Sequence, residues 1–114
     1  MQTMDDFLRI LRESNKAIIV EGKKDKTALE QLGIKNIITL SKKPVYDIIE
    51  NAAKKHKDVI ILTDLDREGK KLFGKLNSGL QRLGVRVDKR PREFLFKNTK
   101  LRQIEGITKY LEKN

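Results

Sequence analysis

Short apolar runs alternate along this chain with longer stretches of helical periodicity. Ala17-Ile18-Ile19-Val20 and Val59-Ile60-Ile61-Leu62 are rich in β-branched residues and lack polar alternation. Such runs predict strands covered on both faces, as in a parallel sheet. A third strand is predicted over 37–40. Between them, Met4, Phe7, Leu8 and Leu11 recur at helical spacing and predict an amphipathic helix over about 4–14. Ala28, Leu29 and Leu32 predict a helix over about 24–32 that stops at Gly33, a natural left-handed closing residue. Pro44 suits the first turn of a helix whose apolar face is Val45, Ile48, Ile49, Ala52 and Ala53, with Lys54-Lys55-His56-Lys57 at the negative end of its dipole. Leu72, Phe73, Leu76, Leu80 and Leu83 predict a helix over about 67–83 closed by Gly84. Gly69, Gly74 and Gly79 weaken it by up to roughly 1 kcal/mol each relative to Ala, and allow close packing on the sheet. Val85-Arg86-Val87 predicts a fourth strand, Glu93-Phe94-Leu95-Phe96 is a further candidate strand beyond a basic loop containing Pro91, and Leu101, Ile104, Ile107 and Leu111 predict a last helix over about 101–112. The alternation implies one α/β domain with a mainly parallel four-stranded sheet flanked by helices.

Composition narrows the class. At 114 residues, with 38% hydrophobic and 37% charged content, the chain has the size of one domain with a small core and a heavily charged surface. No apolar run approaches the roughly 20 residues of a membrane span, and Met1-Gln2-Thr3-Met4-Asp5-Asp6 lacks the basic start and apolar stretch of a secretory signal. A cytoplasmic protein is expected. The absence of cysteine excludes disulfides, thiolate metal sites and a cysteine nucleophile. The net charge of +10 has two readings, a polyanionic partner or solubility in a lysine-rich, thermophilic type of proteome. Within residues 82–102, Arg82, Arg86, Lys89, Arg90, Arg92, Lys97, Lys100 and Arg102 face only Asp88 and Glu93. Such an excess favours a phosphate-facing surface, with Lys23, Lys24, Lys42 and Lys43 as a second basic group.

The candidate chemistry lies where the two central apolar runs end. Glu21-Gly22 follows the first, and Thr63-Asp64-Leu65-Asp66-Arg67-Glu68-Gly69 follows the second. In open α/β sheets ligands bind outside the carboxyl ends of the strands, so Glu21, Asp64 and Asp66 can converge despite their separation in sequence. Converging carboxylates raise one another's pKa unless a cation lies among them, and a hard divalent ion, Mg²⁺ or Mn²⁺, suits all-oxygen donors. A glutamate at the end of a buried strand is partly desolvated and can pass a proton near neutral pH. Asp64 and Asp66, two residues apart in an extended segment, share a face. Glu68 continues that spacing as a third ligand, or is a first-turn acid favoured by the helix dipole. Gly22 and Gly69 are expected to let the backbone approach a ligand. Arg67 either neutralises a phosphate or forms a surface ion pair. His56 lies at a lysine-rich helix end as a surface residue.

These segments resemble the Toprim domain shared by topoisomerases, bacterial-type primases and small nucleases. The resemblance runs from about residue 16 to 96, with the predicted helices at 4–14 and 101–112 flanking that core in a single domain, 1–114, of Rossmann-like fold. It implies that Glu21 is the general acid or base and that Asp64 and Asp66 hold the metal, with Glu68 matching the third acid of the type IA topoisomerase pattern. Glu21-Gly22-Lys23-Lys24-Asp25 is similar to the Glu-Gly-Lys-x-Asp of small stand-alone Toprim nucleases of the type that matures 5S ribosomal RNA precursors. There Lys23 would contact a phosphate and Asp25 would orient it; a solvated helix start is the alternative for both. An Asp-x-Asp pair also occurs in haloacid dehalogenase-type phosphatases, but theirs follows the first strand, and a receiver-like pocket would need a phosphorylatable aspartate on a central strand with a later lysine. Tyr46 and Tyr110 fall on predicted helices with no further domain to carry a strand-passing nucleophile. Two functions follow from the resemblance: a metal-dependent endonuclease acting on structured RNA, or a nucleic-acid-binding or complex-assembly module that works with a protein partner or ribonucleoprotein. Lys23, Arg67, Lys89, Arg90 and Arg92 are the expected nucleic-acid contacts, and no membrane partner is implied.

Overall fold

The β-branched runs pair side by side because neither face of them tolerates water. The computed structural model describes residues 1–113. In it β1 (Ala17–Val20) lies between β2 (Ile37–Thr39) and β3 (Asp58–Ile61), and β4 (Arg86–Asp88) flanks β3. All three pairings are parallel, with Ile18 opposite Ile37 and Ile60, and Ile60 opposite Asp88. Six α-helices surround the sheet: α1 (Met4–Glu13), α2 (Lys23–Gln31), α3 (Val45–Lys55), α4 (Arg67–Arg82), α5 (Arg90–Asn98) and α6 (Ile107–Lys113), the last preceded by a 3-10 turn, Ile104–Gly106.

Strand alternation sends Ile18, Val20, Ile60 and Leu62 to one face, where Phe7, Leu11, Leu29, Leu95, Ile104 and Ile107 cover them. Ala17, Ile19, Val59 and Ile61 point to the other face, against Ile48 and Ala52 of α3 and Leu76 and Leu80 of α4. The result is a three-layer α/β/α domain. Local chemistry sets several boundaries. Thr3 and Asp6 form a reciprocal capping box at the start of α1, and Gly33 and Gly84, at φ +82° and +85°, close α2 and α4 as their positions predict. Gly79 lets α3 approach α4, since a methyl there would sit 2.5 Å from Ile49 Cδ1, whereas one at Gly74 would meet nothing within 4 Å. Close packing therefore accounts for Gly79 but not for Gly74. Among the described residues no helix is long and apolar enough to cross a membrane.

Two expectations need correction. The segment 93–96 is helical: Pro91 occupies the first turn of α5, where its missing N–H costs nothing, and Leu95 and Phe96 are buried on one helical side. The basic loop expected around Pro91 is therefore the start of a helix. Residues 101–103 do not begin the last helix either. They run extended so that the Arg102 carbonyl accepts a hydrogen bond from the Leu65 N–H at 2.8 Å, and helical structure starts only at Ile104.

Candidate functional site

From the centre of the sheet the chain leaves β1 towards β2 and leaves β3 towards β4, so a crevice opens between their carboxyl ends. Glu21 and Asp64 meet there. The Asp64 N–H donates to Glu21 Oε2 at 2.7 Å, tying the two strand ends together. Asp64 Oδ1 accepts from the Ile104 N–H at 2.8 Å, which brings the 3-10 turn over the crevice. Asp25, only 6% exposed, accepts from the Gly22 N–H at 3.0 Å and so caps the start of α2. Asp66 caps α4 by accepting from the Gly69 N–H at 2.7 Å. Glu21, Lys23, Lys24, Asp25, Lys42 and Asp64 are among the residues lining a cleft of about 640 Å³.

Gly69 serves the chain and not a ligand. A methyl group there would overlap the Asp64 carbonyl oxygen, and Thr63, fully buried, donates from Oγ1 to the Gly69 carbonyl at 2.8 Å. Gly22 is different: a Cβ would meet nothing within 4 Å, so its side of the cleft is open space.

Burial and mutual repulsion set the electrostatics. Glu21 is raised above the ordinary glutamate value chiefly by desolvation, with the nearby Asp64, Asp66 and Asp25 charges adding to the rise and the Asp64 N–H opposing it. Asp64 is raised for the same leading reason. Asp25 is pushed up to about 6, by burial first and the Asp64 charge second. One cation lies behind this group. Arg92 donates from Nε to the Thr63 carbonyl at 3.0 Å and from a terminal nitrogen to the Asp64 carbonyl at 2.7 Å. Its guanidinium is sandwiched 4.8 Å from the Phe73 ring centre and 5.2 Å from that of Phe96. Burial lowers its pKa while the Glu21 and Asp64 carboxylates raise it.

The expected site residues thus divide. Glu21, Gly22, Lys23, Asp25 and Asp64 come together in the cleft, and the Asp66 charge reaches it. Arg67 and Glu68 are exposed on the first turn of α4. Arg90 pairs with Asp88 at 2.9 Å and lines a separate depression with Met1, Ile10 and Phe94, while Lys89 is exposed just before α5. Arg92 is engaged internally. Glu105, at the cleft through the 3-10 turn, escaped sequence reasoning because its position depends on the fold of the C-terminal segment.

The donor set is hard oxygen, which suits Mg²⁺ or Mn²⁺. Among the described residues no three acidic or histidine side chains form a ready-made cage. Glu21, Asp64 and Asp66 each spend one oxygen on a backbone N–H, and the Glu21 and Asp64 side chains also interact with each other. That pattern fits an ion held by one or two carboxylates that keeps waters and meets substrate phosphate, the usual mode for Mg²⁺. Asp64 in the cleft, and Asp66 whose charge reaches it, could supply those carboxylates.

An open parallel α/β domain with an acidic site at its switch point is the class these features define. The chain belongs to the Toprim domain family, whose sequence profile matches residues 16–89. It is similar to a UPF0292 protein from Methanocaldococcus jannaschii, 36% identical over 107 residues that cover 90% of this chain and 84% of that protein. A UPF0292 protein from Thermococcus sibiricus is 41% identical over 105 residues, 91% of this chain and 82% of its own length. A solved structure of a protein from Aquifex aeolicus superposes with a TM-score of 0.85 at 34% identity, covering 92% of this chain and 98% of that one.

Proposed function

We propose that this protein carries out Mg²⁺- or Mn²⁺-dependent phosphodiester cleavage of nucleic acid in the cytoplasm, as an endonuclease on structured RNA. The observation that carries the reading is the Glu21–Asp64 junction: two carboxylates beyond adjacent strands, the Glu21 carboxylate accepting a 2.7 Å hydrogen bond from the Asp64 backbone N–H, and both raised in pKa by burial. A glutamate raised in this way is placed to take and return a proton. Asp64 and Asp66, with Glu68 as a further candidate, would hold the metal, which would supply positive charge against the phosphate. Glu21 then handles the proton of the attacking group. Asp25 holds the Glu21-Gly22 corner through the Gly22 N–H, and Lys23, Arg67 and Lys89 are exposed cations available to backbone phosphates, whereas Arg90 would have to leave Asp88 to reach one. Arg92, with its fork occupied by two carbonyls, acts beneath the site as a positioning residue. The Glu-Gly-Lys-x-Asp pattern supports RNA, of the kind handled by the 5S ribosomal RNA maturases, and a ribonucleoprotein setting.

A second reading is a non-catalytic nucleic-acid-binding or assembly module. The lack of a three-carboxylate cage among the described residues favours it. Cleavage of structured RNA with Mg²⁺ and with Mn²⁺ separates the two. Glu21→Gln is expected to lower the rate by about 10²–10⁴ while leaving RNA affinity nearly unchanged. If the wild type cleaves neither RNA nor DNA with either metal, the binding-module reading replaces the catalytic one.

A further inference from the structure

The basic residues of this chain are unequally free. Arg86 is paired with Asp58 at 2.8 Å, Arg90 with Asp88, and Arg92 with two carbonyls. Arg102 bonds the Leu101 carbonyl, and Arg82 and Lys97 line depressions on opposite sides of the domain, one beside Tyr46 and the other beside Ile10. The stretch 82–102 therefore offers no continuous cationic surface. Lys23, Lys24 and Lys42, by contrast, are exposed, enter no ion pair among the described residues, and line one cleft with Glu21 and Asp64.

Lys42 is also held at a conformational cost. The turn from Leu40 to Lys43 closes with the Lys43 N–H on the Leu40 carbonyl at 2.8 Å, and both central residues have positive φ, Ser41 at +39° and Lys42 at +66°. Positive φ at both central positions is the pattern for which Asn-Gly is the relaxed choice. Here Ser-Lys occupies it. The turn is anchored to the site itself, since the Ser41 N–H donates to the Glu21 carbonyl at 3.0 Å and the Ser41 and Thr39 hydroxyls share a 2.9 Å bond. A strained turn tied to the acidic residue, with an exposed lysine at its tip, puts a fixed cation where a charge is useful and a glycine would be easier.

We infer that Lys42 is a phosphate-contacting residue of the cleft, and that with Lys23 and Lys24 it directs a phosphodiester backbone across the β2 side of the sheet edge, over Gly22. Gly22 leaves that path clear, because even a Cβ there would touch nothing. The inference rests on the cleft being a nucleic-acid site and assigns the track within it.

The test uses the full chain in EDTA with a fluorescein-labelled RNA hairpin and a DNA hairpin of the same sequence. Affinity is measured across a salt series, together with thermal unfolding. Lys42→Gly suits the left-handed backbone, so it removes the charge while keeping the turn. Its melting temperature should hold, its affinity should fall, and its slope of log K against log salt should drop by about one unit. Adding Lys23→Ala and Lys24→Ala should lower the slope by about three units in all. Lys42→Arg should retain the wild-type slope. The track is overturned if Lys42→Gly and the triple variant keep that slope while Lys89→Ala/Arg90→Ala loses it, an outcome that leaves the function reading standing. If the wild type binds neither hairpin, the track and the reading fall together. Equal losses on RNA and DNA assign the contact to phosphate, whereas a loss on RNA alone would overturn a pure phosphate role for Lys42.

Discussion

At the scale of single residues, Arg92 supplies the internal counter-charge that the acidic corner needs. Its fork meets the carbonyls of Thr63 and Asp64, and its faces lie on Phe73 and Phe96. Hydrogen bonds from a charged donor each contribute about 1.5–3 kcal/mol, so Arg92→Ala should destabilise the fold by at least that range in urea unfolding. Arg92→Lys should recover only part of it, because an ammonium cannot reproduce the planar fork. Equal stability of all three proteins would remove the positioning role. Asp25 yields a pH prediction. Its folded pKa of about 6 lies above the unfolded value near 3.9, so the folded state binds the proton more tightly. Its contribution to stability is fully present below about pH 4 and is lost as pH rises through about 6. Asp25→Asn keeps an acceptor for the Gly22 N–H without the charge. The variant should be more stable than the wild type at about pH 8, with the gap closing by about pH 4; a gap constant with pH would contradict the assignment. Glu21, Asp64 and Asp25 were legible in the sequence because an acid beyond a buried strand or at a helix start is a local pattern. The inward turn of Arg92 was not, since only packing of α5 against the sheet distinguishes it from its exposed neighbours Lys89 and Arg90.

Among the elements, α4 carries two glycines with opposite consequences. Gly69 lies against the Asp64 carbonyl and Gly74 faces open space. Overfilling a packed position costs typically about 1–3 kcal/mol and occasionally more, and Gly69→Ala should reach or exceed that range while displacing Asp64. Gly74→Ala in the exposed helix interior should instead stabilise by about 0.5–1 kcal/mol. Thermal unfolding of the two variants reads both signs; a shared sign would contradict the packing described. The first four helices could be read from periodicity because each spans enough residues to show its repeat, and the strands from the β-branched runs set between them. Glu93-Phe94-Leu95-Phe96 was too short: an apolar run of that length fits strand or buried helix, and Pro91 at a helical first turn decides for the latter. The extended residues 101–103 were equally illegible, because they exist to meet Leu65 in another part of the fold.

For the molecule as a whole, the sheet order places the strands that lead to Glu21 and Asp64 side by side at the switch point. A cation that binds the folded form alone stabilises it by mass action. Mn²⁺ should therefore raise the melting temperature of the wild type more than that of an Asp64→Asn/Asp66→Asn variant, and equal shifts would take the metal away from these residues. The net charge of +10 is then not all of one kind: paired arginines fasten β3, β4 and α5 to their surroundings, and Lys23, Lys24 and Lys42 line the cleft.

The bond from the Ile104 N–H to Asp64 also bears on the order in which the protein is made. A ribosome delivers Glu21 before Asp64, but a chain halted at Lys100 would leave the Asp64 carboxylate without its backbone donor and the Leu65 N–H without the Arg102 carbonyl. Ile104 and Ile107, both fully buried, would be missing from the core as well. Domains begin folding as they emerge, yet in this chain the acidic corner is completed only once residues 102–107 have been made, so the cleft assembles later than the two strand ends it lies between.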